Sequence, residues 1–72
     1  MKLSSFVRGL EIMRTHYTDS DGYRLGAEHD QIHLFASDLP LTEEEMAELD
    51  ALGWFQPEAD DHDPEAGWSC FT

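Results

Sequence analysis

No lysine or arginine follows position 24 of this 72-residue chain: the whole basic complement is Lys2, Arg8, Arg14 and Arg24. From Asp38 onward there are eleven carboxylates (Asp38, Glu43, Glu44, Glu45, Glu48, Asp50, Glu58, Asp60, Asp61, Asp63 and Glu65) with no cation to set against them. Residues 1–37, with four basic and five acidic side chains, sum to −1, and residues 38–72 sum to −11. A field this one-sided repels nucleic acid and attracts basic surfaces at long range, so direct nucleic-acid binding is not expected. Cysteine is nearly absent too. Cys70, the only one, cannot close an internal disulfide, which fits a reducing cytoplasm. No apolar run reaches about 18 residues, so no membrane span is expected. The opening MKLSSFVRGLEIM carries charges where a signal peptide needs its apolar stretch, and a cytoplasmic location is expected.

Chemistry-bearing motifs are equally scarce. Asp19, Asp21, Gly22 and Glu28 fit positions 3, 5, 6 and 12 of a calcium loop, but position 1 would be Tyr17, which supplies no carboxylate. His16, His29, His33, His62 and Cys70 show no ligand spacing suited to zinc. Cys70 paired with a histidine lacks the positive surroundings a nucleophilic thiol needs. There is no Gly-rich phosphate loop and no basic patch interleaved with aromatics. The expectation is a protein that is not an enzyme, with no catalytic residues, no metal site and no cofactor.

What is present is enough to build one domain spanning 1–72. A 40 % hydrophobic fraction with eight aromatics is too rich for a disordered acidic tail. Residues 3–17 read as an amphipathic helix with Leu3, Phe6, Val7, Leu10, Met13 and Tyr17 on one face and Ser4 or Ser5 as cap. Gly9 weakens its middle by about 1 kcal/mol relative to alanine, and Ile12, off the stripe, is either exposed or meets a second layer. Thr18 to Gly22 supplies turn chemistry. The period of two over 23–36 predicts a hairpin turning at His29-Asp30-Gln31, with a helix over 27–36 as competitor. Pro40, the capping box Thr42/Glu45 and Gly53 bracket a second helix at 42–52, with Met46, Leu49 and Leu52 inward. Trp54-Phe55-Gln56 reads as a short strand, Glu58 to Glu65 as an acidic loop, and Gly67 to Thr72 as a last strand. The expected fold is α+β in the order α-β-β-α-β-β, an antiparallel sheet with both helices on one face. Trp54 and Trp68 belong in the core of so small a domain.

The acids are the remaining constellation. Glu44 and Glu48 form an i,i+4 pair on the solvent face of the second helix, about 5–6 Å apart at Cβ, with no lysine or arginine nearby in sequence. Glu43 and Asp50 lie two turns apart, about 10 Å by helical rise. These spacings are of the order of the phosphate repeat, about one charge per 3.4 Å of axis per strand. Solubility or salt adaptation is the competing explanation.

A tiny acidic single domain with one carboxylate-lined half resembles phage- and mobile-element-encoded inhibitors, in particular anti-CRISPR proteins that act as DNA mimics. Leu52-Gly53-Trp54-Phe55 and Gly67-Trp68-Ser69-Cys70-Phe71-Thr72 also look like the ending of many small phage and bacterial proteins. The likeness is one of type across the whole chain, so it carries no residue roles across. It implies a basic partner, such as a CRISPR effector complex that holds DNA in positively charged channels. The candidate contact residues are Glu43, Glu44, Glu48 and Asp50 on the helix with Asp60, Asp61 and Asp63 on the loop. The alternative is a small adaptor that binds through exposed apolar positions such as Ile12 or Phe35, its acidity serving only to keep it in solution. Oligomeric state is not readable from the sequence.

Overall fold

The computed structural model describes residues 1–19, 23–57 and 62–72. Helix α1 runs Leu3–Arg14, β1 Leu25–Ala27, β2 Gln31–Leu34, α2 Glu43–Leu52 and β3 Trp68–Phe71. The three strands form one antiparallel sheet in the order β1-β2-β3. The α+β class stands. The expected fourth strand contracts to a single bridge between Phe55 and Ser69, because Trp54 turns into the core and the Gln56 amide is spent on the next loop.

The side-chain alternation of two strands decides the core. Ile32 faces Cys70 and Leu34 faces Trp68, which puts all four on the helix-facing side of the sheet. Against them pack Ile12 and Met13 of α1, Met46 and Leu49 of α2, and Leu41 and Trp54 from the connections. Both tryptophans are buried, as their size demands in so small a domain.

Helix α1 departs from its expected face. Leu3 and Val7 stand in solvent, whereas Ile12 is buried, so the exposed option for Ile12 is wrong. The reason is Gly9. A Cβ there would sit 2.1 Å from the Trp54 indole, so only a glycine lets the ring lie on the helix backbone. Phe6 stacks on the same ring at 5.9 Å, and the Trp54 Nε1–H donates to the Ser5 carbonyl at 3.3 Å. The helix is therefore rolled toward Gly9 and away from Leu3 and Val7. It starts at Leu3, as expected, but not on a serine cap: Lys2 is the N-cap, without a side-chain bond, and Ser4 and Ser5 lie inside the helix. It ends at Arg14 and not at Tyr17, since Thr15 Oγ1 donates to the Ile12 carbonyl and His16 and Tyr17 close three-residue turns behind it.

The hairpin forms at the expected place, with a turn one residue shorter than expected. Glu28 N–H donates to Gln31 O at 2.8 Å, leaving His29 and Asp30 at the tip, and Gln31 opens β2. Asp21 and Gly22, half of the calcium-loop reading, lie outside the described residues together with Ser20, as do Glu58, Asp60 and Asp61 of the acidic loop. No helix is long and apolar enough to cross a membrane among the described residues.

Candidate functional site: the acidic face of the second helix

Helix α2 is positioned from both ends by its own sequence. Thr42 accepts the Glu45 N–H at 3.2 Å while Glu45 accepts the Thr42 N–H at 3.0 Å, the reciprocal capping box. At the other end Gly53 takes φ 101°, a left-handed conformation that glycine adopts without strain, and Trp54 N–H reaches back to the Leu49 carbonyl at 3.0 Å. Met46 and Leu49 anchor the inner face. What remains outward is Glu43, Glu44, Ala47, Asp50 and Ala51, three carboxylates around two alanines.

The five acids of this helix are not equivalent. Glu48 is taken by Arg8, whose Nε and Nη2 reach its two oxygens at 2.6 and 3.1 Å. The sequence reading left Glu48 without a nearby cation; the fold supplies one from 40 positions upstream, which is why spacing alone did not show it. The side-chain bonds and charge of Arg8 hold the Glu48 carboxyl below the usual carboxylate range, and Arg8 is correspondingly held charged. Glu45 is turned inward: beyond its capping bond it meets His16 Nε2 at 2.8 Å. The Thr42 N–H, then the His16 contact, lower its carboxyl as well. Glu43, Glu44 and Asp50 are exposed, and no ion pair engages them among the described residues.

The loop acids are only partly in view. Asp63 is fixed: its N–H donates to Gln56 Oε1 at 2.8 Å, its carbonyl accepts from Gln56 Nε2 at 2.8 Å, and its carboxylate accepts the Glu65 N–H at 2.9 Å. Asp63 thus works as a turn residue with its backbone pinned, while Asp60 and Asp61 lie outside the described residues.

The second arginine of the fold is also committed. Arg24 Nη2 meets Asp38 at 2.9 Å, and the same carboxylate oxygen takes the Thr18 N–H and hydroxyl at 2.9 and 3.0 Å. The Thr18 N–H is the main cause, ahead of Arg24, that lowers the Asp38 carboxyl. Two of the four cations in the first third of the chain therefore reach across to offset Asp38 and Glu48, and three of the acids left outward, Glu43, Glu44 and Asp50, share one face of α2.

A polar pair that the sequence did not reveal sits on the other face of the sheet. His33 Nδ1 shares a hydrogen bond with Ser69 Oγ at 2.7 Å across the β2–β3 register. The opposite ring nitrogen lies 3.5 Å from a Glu28 carboxylate oxygen and makes no hydrogen bond among the described residues. Ser69 is only 3 % exposed, and its hydroxyl joins two strands. Cys70 is fully buried and burial pushes its thiol up, away from the reactive thiolate. No group of three His, Cys, Asp or Glu side chains is placed to hold a metal ion among the described residues. No family model, curated protein or solved structure matches this chain.

Proposed function

We propose that this domain is a non-enzymatic anionic binding protein that blocks a basic, DNA-handling protein surface, in the manner of the anti-CRISPR DNA mimics it resembles. The observation that carries the reading is the division of labour on α2. Glu45 and Glu48 are used to fix the helix, while Glu43, Glu44 and Asp50 stand outward on a rigid element, engaged by no ion pair among the described residues. Carboxylates on a fixed helix lose little freedom on meeting lysine or arginine, and each contact releases counterions held by the charges it neutralises, so binding weakens with salt. Ala47 and Ala51 between them keep the face low, so a partner's side chains can reach all three acids.

The test is competition with DNA for a purified CRISPR effector complex at several salt concentrations. Inhibition should fall steeply with salt and disappear in the triple variant Glu43→Lys, Glu44→Lys, Asp50→Lys. Glu48→Gln, which removes an internal ion pair, should leave it largely intact. Inhibition that survives the triple reversal sinks the mimicry reading.

A second reading has one observation behind it: Phe35 is half exposed, as an adaptor's contact residue should be. Ile12 cannot serve, being in the core. Adaptor binding would tolerate salt and fail on Phe35→Ser.

A further inference from the structure

The acidic face of α2 has a boundary, and one side chain from α1 draws it. Glu48 follows Glu44 by one helical turn, on the flank of α2 that meets α1. Its carboxylate would continue the row that Glu43, Glu44 and Asp50 begin, but it is already occupied. Arg8 holds both oxygens in a fork, Nε at 2.6 Å and Nη2 at 3.1 Å, and its Nη1 lies 3.4 Å from Glu11. One guanidinium thus serves two acids, one on each helix. All three side chains are well exposed, Arg8 by 49 %, Glu48 by 41 % and Glu11 by 61 %. They lie at the surface, where a partner that reaches Glu44 would arrive.

The chemistry of the occupant is that of the proposed partner. A two-point fork on a carboxylate is the contact that an arginine of a DNA-handling surface makes with an anion. Arg8 makes it from within the chain, where it costs no association entropy. We propose that Arg8 is an internal competitor for the anionic face, seated on Glu48 and Glu11 and thereby lowering the affinity of this face for arginine-bearing surfaces. This deepens the reading of α2 as the binding face and rests on it. Without Arg8, Glu48 and Glu11 remain ionised at neutral pH, because an ordinary carboxylate titrates near pH 4. The face then grows from Glu43, Glu44 and Asp50 to include both of them.

The probe is a labelled oligo-arginine peptide, its binding to the full chain followed by fluorescence anisotropy at neutral pH and several salt concentrations. Arg8→Gln should bind it about fivefold tighter than the wild type, with a steeper loss of affinity as salt rises. Arg14→Gln is the control for net charge: Arg14 is exposed on the same helix and in no ion pair among the described residues. It should give a much smaller gain. Glu48→Gln should be silent in the wild-type background and should cancel most of the gain in the Arg8→Gln background. Glu44→Gln removes the same charge one turn away and should weaken wild-type binding, a comparison that holds even if Arg8→Gln fails to fold. Four outcomes overturn the proposal: an Arg8→Gln gain no larger than that of Arg14→Gln, a gain that survives Glu48→Gln, equal losses from Glu44→Gln and Glu48→Gln, or no binding by any form at low salt. The peptide assay needs no effector complex. Inhibition that survives the triple reversal therefore refutes mimicry alone, and an Arg8→Gln variant that binds like the wild type refutes internal competition alone.

Discussion

At the scale of single residues, Gly9 carries more structure than its chemistry suggests. Helix propensity alone says that Gly9→Ala should stabilise α1 by about 1 kcal/mol. The Trp54 ring says the reverse, since the added methyl would meet indole atoms at 2.1 to 2.7 Å and the ring is locked by Phe6 and Ser5. Overpacking of this kind costs roughly 1–3 kcal/mol, so the variant should melt several degrees lower, at about 4–8 °C per kcal/mol for a domain of this size. A thermal melt with an unchanged or raised midpoint would show that Trp54 has room to move. The same contact explains a failure of sequence reading. A hydrophobic stripe assigns the buried face of a helix from local pattern only, and the partner that rolled α1 arrives from 49 positions away.

At the scale of elements, α2 was legible because every signal that defines it lies within or beside it. Pro40, Thr42, Glu45 and Gly53 stand within a few residues of the ends they control, and the helix observed is the helix expected. Thr42→Ala should cost about 1 kcal/mol, and Thr42→Ala with Glu45→Ala should cost less than the sum, because the two bonds are reciprocal. Urea titration of the single and double variants measures this; strict additivity would mean the box contributes nothing as a unit. The connections were less legible. Whether Trp54-Phe55-Gln56 pairs as a strand depends on where the indole goes and on Gln56 reaching Asp63 and Ala66, neither of which local alternation records. Nor could spacing anticipate His16, whose ring meets Glu45 while its carbonyl accepts both the Asp38 and Leu39 N–H groups.

At the scale of the molecule, the charge asymmetry of the sequence is partly dissolved by folding. Arg8 and Arg24 leave their own half to hold Glu48 and Asp38, so paired carboxylates tie the helices and the hairpin together. Asp38, Glu45 and Glu48 all have folded-state values below their ordinary ones. Their contribution to stability is therefore complete above the ordinary carboxylate range, near pH 4, and is lost as pH falls through the lowered values. Circular dichroism against pH should show unfolding on the acid side of that range, with Glu45→Gln flattening part of the dependence. Full retention of structure in strong acid would mean these pairings are decorative. What the sequence could say about charge was its sum and its order along the chain. Which acids face outward required knowing who stands beside whom.

The seating of Trp54 on the glycine of α1 has an optical consequence. Its indole lies against Phe6 and the α1 backbone, whereas Trp68 sits beside His62 under the sheet, so the two fluorophores report different parts of one molecule. In a Trp68→Phe background, emission would come from Trp54 alone and would follow the docking of α1 onto the residue behind α2. The protein thus carries a built-in gauge for a contact its sequence concealed.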